Sequence, residues 1–280
     1  MGVVEHNMQI LNVACGTRFH NDWINIDFQS SSPEVNAINI LNGLPYDNNS
    51  FDVVYSSHFL EHLTKKQADF VLSEIIRILK PGGIVRIIVP DLQNICREYL
   101  NILSDIQDNF NKKRYEWIII ELLDQMVRTN LGGEMLEMYR SENTLHDDFL
   151  KEYIFTRVGE RINPLNVSVS SIRAGRISNL TLKKIKKSLY FSYISILKKL
   201  FPQSIKDSII LNTSIGEKHL WMYDSYSLSE KLKRIGFIKI KFFNHNESQI
   251  PNFSNYYLDT NMDGTPYKGI SSLYCEAIKP

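Results

Sequence analysis

The sequence predicts an α/β fold organised around an open, mostly parallel sheet, and three stretches carry that prediction. From Leu41 to Asp91, two short apolar runs rich in β-branched residues flank one amphipathic helical period. A strand, helix, strand order of this kind packs as a right-handed βαβ unit with both strands buried. Upstream, Ile10 to Ala14 leads into a loop of small residues, and Trp23 to Asp27 ends on an acid. Downstream, Phe237 to Phe243 and Ser272 to Ile278 bring the strand pattern back after a long helical stretch.

In chain order, Ile10 to Ala14 is the first strand, Cys15-Gly16-Thr17 its exit loop, Trp23 to Asp27 the second strand and Val35 to Ile40 the third. Ligands of open parallel sheets bind at the carboxyl ends of the strands. There, small residues in the first loop let the backbone approach the ligand, and an acid ending the second strand accepts from ribose hydroxyls. Gly16 and Asp27 fit those two roles. About eight residues separate Ala14 from Trp23, whereas a parallel crossover takes about a dozen or more. The early helices are therefore shortened to a turn or missing. One face of the sheet is left thinly covered, and its cover is expected from the later helical stretch or from a second subunit in a homodimer.

Phe51 to Tyr55 follows the turn-rich Asp47 to Ser50 and is the fourth strand. Thr64 caps the next helix, Lys65 to Leu79, with Phe70, Ile75, Ile76 and Leu79 on its apolar face. Lys80-Pro81-Gly82-Gly83 ends that helix, and Ile84 to Val89 is the fifth strand. Helical periods follow over Leu92 to Leu103, Trp117 to Thr129, Glu134 to Tyr139 and Asp147 to Val158, with Gly132-Gly133 as a break. Ser178 to Phe201 is amphipathic, with a seam through Leu182, Ile185, Leu189, Tyr193, Ile196 and Leu200 and lysines mostly off it. It reads either as a cap helix with a solvated basic face or as a peripheral membrane contact. Ser227 and Glu230 form a capping-box pattern that opens a helix ending at Gly236. The domain reading is a core of residues 1–100 and 219–280, interrupted by a helical insertion or lid over 101–218 that would bind the acceptor.

These motifs also carry a resemblance. FDVVYSSHFLEHL (Phe51 to Leu63), LKPGG (Leu79 to Gly83) and QILNVACGTRFHNDWINID (Gln9 to Asp27) resemble class I S-adenosylmethionine-dependent methyltransferases of the type 11-like group. Tyr115 to Met138, and His219 to Pro280 with HLWMYDSYSLSEKL and SLYCEAIKP, resemble a bacterial branch associated with surface-polysaccharide gene clusters. Asn163 to Glu217 has no counterpart. The resemblance implies a Rossmann-like seven-stranded sheet whose last strand inserts antiparallel, with S-adenosyl-L-methionine as cofactor and S-adenosyl-L-homocysteine as product. Carried over position by position, it places the cofactor against Ala14, Cys15, Gly16, Asp27, Asn39, Ile40, Leu41, Ser56 and Ser57. Two departures stand out: Ala14 replaces a common glycine, and Asn39 stands where the group often has an acid for the adenine amino group. An Asn carbonyl still accepts from that group.

Methyl transfer from a sulfonium is an in-line displacement, accelerated mainly by proximity and, for a hydroxyl acceptor, by a general base. The loop after the fourth strand carries His58, Glu61 and His62, positions i, i+3 and i+4 that meet on one helical face. The same H-x-x-E-H string occurs in inverted zinc proteases, but a strand-exit loop of a nucleotide-type fold is the wrong context. Related methyltransferases use E-x-x-E-H here for a divalent metal, and His58 replaces the first carboxylate. Three readings stay open: a metal at His58, Glu61 and His62, a histidine base oriented by Glu61, and a loop clamp with the base elsewhere. Glu134, His219, Trp221 and Tyr223, with Asp224, combine a flat aromatic with polar partners and are the candidates for binding a sugar acceptor, although each alone is also a common core or capping residue.

The bulk numbers narrow the classes. A chain of 280 residues that is 43% apolar buries a sizeable core. A formal net charge of +1 argues against nucleic acid as a partner. Cys15, Cys96 and Cys275 make no paired framework and no metal spacing, which fits a reducing cytoplasm. No signal-peptide pattern or membrane-length apolar run is present, so the expectation is a cytoplasmic enzyme, membrane-peripheral if residues 178–201 bind lipid. The expected reaction is O-methylation of a saccharide, nucleotide sugar or lipid-linked glycan. The alternatives are another small acceptor (phenol, carboxylate or amine) or a silent cofactor-binding module.

Overall fold

The structure is a computed structural model that describes residues 8–30, 32–130, 132–159 and 218–280. Its sheet has seven strands in the order β3-β2-β1-β4-β5-β7-β6. These are β1 (Ile10–Val13), β2 (Ile24–Asp27), β3 (Val35–Ala37), β4 (Phe51–Ser57), β5 (Leu79–Pro90), β6 (Ile238–Phe243) and β7 (Ser272–Ile278). The first five run parallel, and β7 inserts antiparallel between β5 and β6. The expected mostly parallel seven-stranded sheet, with its shortened early crossovers, is the one observed.

Local boundaries differ in instructive ways. The third strand stops at Ala37, and the chain turns through a 3-10 turn at Ile40–Asn42. The Lys80 to Gly83 turn lies inside β5 as a bulge: Leu79 pairs with Phe51, and Val53 next pairs with Ile84. Its backbone is held from outside, because the Gly82 amide donates to the Lys279 carbonyl (2.9 Å) and the Lys279 amide to the Gly83 carbonyl (3.0 Å).

Helix α1 (Lys65–Ile78) is capped by Thr64, which exchanges bonds with Gln67 in a capping box. It buries Ala68, Val71, Leu72, Ile75 and Ile78. Phe70, expected on that face, is 43% exposed, because the buried stripe follows the i, i+4, i+7 row through Val71, Ile75 and Ile78. Five helices follow β5: α2 (Leu92–Ser104), α3 (Asn109–Val127), α4 (Gly133–Arg140), α5 (Glu142–Leu145) and α6 (Asp148–Val158). The third begins well before Trp117 because the Asp108 carboxylate accepts from the Phe110 and Asn111 amides and caps it there. The last helix, α7 (Ser225–Ile235), is capped by Asp224 with Ser227. It therefore begins earlier than the predicted Ser227 and Glu230 pair would have it. The amphipathic stretch 178–201, and with it the membrane-contact reading, lies outside the described residues. Among the described residues no helix is long and apolar enough to cross a membrane.

One face of the sheet is covered by α1 and α7, whose Leu228 and Leu232 join the main core. The other face was expected to need the insertion or a second subunit. Among the described residues it is covered by the chain between β6 and β7, residues 244–271. Ile250, Phe253 and Leu258 from that segment pack on Ile10, Trp23, Val53, Tyr55, Ile88 and Tyr274 of the sheet side. The segment has little regular structure, and a buried charge cluster fastens it. Arg86, fully buried on β5, pairs with Asp259 (2.7 Å) and Glu276 (2.6 Å) and lies 4.5 Å from the Phe253 ring centroid. The Tyr55 hydroxyl donates to Asp259 (2.5 Å), and the Gln249 amide donates to Glu276 (2.9 Å).

The α2–α6 helices stand at the carboxyl end of β5. They pack through Ile95, Ile102, Ile118 and Met222, and through Trp117, Leu150 and Ile154. The end of α6 meets the 244–271 segment backbone to backbone, with the Ile270 amide donating to the Thr156 carbonyl (2.9 Å). A Cβ on Gly269 would collide with the Arg157 carbonyl, so glycine is what permits this approach.

Replacing Arg86 by Met should strand two buried carboxylates and cost about 3–5 kcal/mol. Urea denaturation should show this as a lower midpoint at an unchanged slope.

Candidate functional site

A cleft of about 190 Å³ opens at the carboxyl ends of β1 and β4. Its floor is built by the exit of β1. Ala14 adopts a left-handed conformation (φ 56°), as does Gly16 (φ 58°), so the chain turns at once instead of entering a helix. For Ala14 that conformation costs about 1–2 kcal/mol, which a glycine in its place would not carry. The turn aims the Gly16 amide at Asp27, whose Oδ2 accepts from it at 2.8 Å. The Cys15 thiol is pushed up to about 12, by burial and then by the Asp27 charge, so it is no nucleophile near neutral pH.

The far wall comes from residues 244–271, through Leu258, Tyr267 and Lys268. Arg18 ties wall to floor. Its guanidinium donates to the carbonyls of Tyr257 and Thr260 and lies 4.2 Å from the Tyr267 ring centroid. Sequence reasoning missed Arg18, Tyr267 and Lys268, since nothing local to them announces a site.

Of the predicted cofactor residues, Ala14, Cys15, Gly16 and Ser57 line the cleft, and Asp27 stands one hydrogen bond behind Gly16. Ser56 is buried and donates to the Val13 carbonyl (3.2 Å), bracing β4 on β1. The Asn39 carbonyl accepts from the Leu41 amide (3.1 Å) as the cap of the 3-10 turn, and Ile40 is buried in the core. Asn39, Ile40 and Leu41 are outside the lining.

His58, Glu61 and His62 do not share a helical face. His58 follows β4 in a left-handed conformation (φ 49°), and Leu60–His62 form a 3-10 turn. His58 lines the cleft, with Nε2 3.0 Å from the Ser272 hydroxyl and Nδ1 3.3 Å from Glu61 Oε1. Glu61 is fully buried, and its carbonyl accepts from the amides of Leu220 (2.7 Å) and Trp221 (3.1 Å). His62 turns away from the cleft. Its Nδ1 lies 3.0 Å from the Lys218 carbonyl, and its ring is 4.9 Å from that of His219, edge to face.

Burial lowers the His58 pKa, partly offset by Glu61. Burial alone would raise the Glu61 carboxyl, but the His58 imidazole, followed by His62 and His219, outweighs it once protonated and holds it down to about 2. Burial also lowers His219 to about 4, so at neutral pH its ring is uncharged.

The four acceptor candidates lie outside the cleft lining. Glu134 sits in the first turn of α4, and its amide donates to Asp124 (2.8 Å). Trp221 is 37% exposed, with the Lys65 ammonium 3.7 Å from its ring centroid. Tyr223 and His219 are buried, and Asp224 caps α7.

Because Arg18 is the strut between wall and floor, Arg18→Ala should speed amide hydrogen exchange across residues 257–267 while leaving β1, β4 and β5 protected.

Residues 11–87 match the family model described as "Methyltransferase domain". A search of curated proteins finds no match. Among solved structures, the [4+2]-cyclase SpnF is 22% identical at a TM-score of 0.25, over 29% of this chain and 38% of that one. The chain thus spans well under half the length of SpnF. A possible histamine N-methyltransferase from Thermotoga maritima is 11% identical at a TM-score of 0.39, over 98% of this chain and 82% of that one. The complex between the Haloferax volcanii Trm112 methyltransferase activator and a putative methyltransferase matches at 11% identity and a TM-score of 0.36, over 99% of this chain and 84% of that one. The match to the methyltransferase-domain model thus falls on the part of the chain that holds β1 to β4, α1 and most of β5, including the floor of the cleft.

Proposed function

We propose that the protein is an S-adenosylmethionine-dependent O-methyltransferase that acts on a hydroxyl of a saccharide, nucleotide sugar or lipid-linked glycan. The observation that carries the reading is the bond from the Gly16 amide, which lines the cleft, to Asp27 at the end of β2, both inside the matched residues. The residues there fit the cofactor. Among the described residues Asp27 Oδ1 accepts one long contact, from the Gln29 amide (3.4 Å), and retains lone-pair capacity for ribose hydroxyls. The side of Gly16 that a Cβ would fill has no atom within 4 Å. The saccharide class rests on the resemblance of Tyr115 to Met138 and His219 to Pro280 to the surface-polysaccharide branch, with the helices of 101–218 as the acceptor-binding region.

When bound, S-adenosylmethionine supplies a methyl group on a sulfonium. The chain's part is to align donor and acceptor and to take the hydroxyl proton. We assign the proton to His58 Nε2, because that imidazole lines the cleft and Glu61 takes the proton on Nδ1. Its lowered pKa keeps the ring neutral near pH 7, the form a base requires. Glu61 is a positioning residue. A second reading, a cofactor-binding module without turnover, is favoured by the strained Ala14 and by the Asn39 carbonyl already engaged with Leu41.

Calorimetric titration with S-adenosylhomocysteine should show binding to the wild-type chain and a loss of at least about tenfold in Asp27→Ala, since one good hydrogen-bonding anchor to a charged group is worth about 1.5–3 kcal/mol. A folded wild type that does not bind removes both readings. His58→Ala should lower turnover at saturating cofactor by at least about a hundredfold.

A further inference from the structure

We infer that Glu61, His62 and His219 form a binding site for one divalent transition-metal ion, zinc by the chemistry of its donors. One carboxylate oxygen and one nitrogen from each imidazole lie within 4.8 Å of one another. A tetrahedral zinc ion with ligands at about 2.1 Å needs its donors about 3.4 Å apart, a closure within reach of small side-chain rotations.

Three further features point the same way. Glu61 is fully buried, and beyond His58 Nδ1, 3.3 Å from Oε1, its carboxylate has no hydrogen-bond donor among the described residues. A carboxylate in that state is costly unless a cation or proton meets it. The His62 ring is oriented from behind: its Nδ1 faces the Lys218 carbonyl at 3.0 Å, so Nδ1 carries the proton and Nε2 keeps its lone pair on the Glu61 side, 4.0 Å from Oε1. A backbone carbonyl on the outer nitrogen is the usual support of a metal-bound histidine. The His219 ring is held beside it by its own backbone, whose amide donates to the Gln125 carbonyl (2.8 Å).

Two imidazoles and one carboxylate suit zinc or iron(II) rather than calcium or magnesium, which prefer oxygen donors. The three protein ligands leave a fourth position to water. Glu61 and His62 belong to the turn after β4, and His219 lies where the described chain resumes. An ion here joins those two distant parts of the chain and fixes the Glu61 carboxylate against which His58 rests. None of the three ligands lines the cleft, and because Glu61 also faces His58 the test reads metal binding and not turnover.

The full-length chain, stripped with a chelator, should be titrated with Zn²⁺ by calorimetry and with Co²⁺ by visible absorption. The expected result is one tight equivalent, with a tetrahedral cobalt spectrum. Affinity should fall at least about a hundredfold in His62→Ala and His219→Ala, more than the loss of an outer-shell partner, and in the near-isosteric Glu61→Gln. His20→Ala, outside the cluster, should bind as the wild type does. Circular dichroism reports that each variant is folded. S-adenosylhomocysteine binding, measured separately, reports on the methyltransferase reading alone. Absence of binding to the wild type, or equal binding by a folded Glu61→Gln variant, overturns the assignment.

Discussion

A guanidinium sealed between two carboxylates holds the open side of this sheet together. The crossovers between β1, β2 and β3 are too short to lay helices across that face, so Trp23, Tyr55 and Tyr274 need another cover. Residues 244–271 supply it with little regular structure of their own. Apolar contact by itself is not directional and would let such a segment slide. Arg86 makes it specific, because its bonds to Asp259 and Glu276 fix one register, and each carboxylate has a further donor to meet its remaining lone pairs. Desolvated charges of this kind are tolerable only when paired, and Arg86 commits Nε and one terminal nitrogen to the two acids.

The cleft inherits that arrangement. Its floor is the carboxyl end of β1 and β4, and its wall is the covering segment, so the space exists only while the segment is fastened. Arg18 adds the direct tie across the opening. The end of α6 then braces the same wall near Gly269, which links the helices after β5 to the cleft. On the opposite side, His58 leads from the cleft to Glu61 and on to His62 and His219. The two sides differ in chemistry: one is closed by strong ion pairs, the other by imidazoles around a single carboxylate.

Much of the fold was legible in the sequence because buried parallel strands and amphipathic helices write their periods locally. Phe51 to Tyr55, Ile84 to Val89 and Ser272 to Ile278 are strands as predicted, and Lys65 begins its helix behind Thr64. The errors fall where a distant partner decides. Pro81-Gly82-Gly83 has the composition of a turn, yet Lys279 draws it into β5. Phe70 is as apolar as its neighbours, but its side of α1 has no sheet beneath it.

The candidate site divides in the same way. Sequence alone singled out Gly16 and Asp27, because a small-residue loop and a terminal acid are properties of single strand ends, and it marked His58, Glu61 and His62 as unusual for a strand exit. It could not determine the wall. Arg18, Leu258, Tyr267 and Lys268 meet only after the chain returns from β6, and no period or local motif records a contact across more than two hundred residues. Nor could it separate His58 from His62. The left-handed turn at His58 and the bond from His62 to Lys218 send the two rings to opposite sides of Glu61, and only the tertiary structure, by burying that carboxylate, made the difference matter.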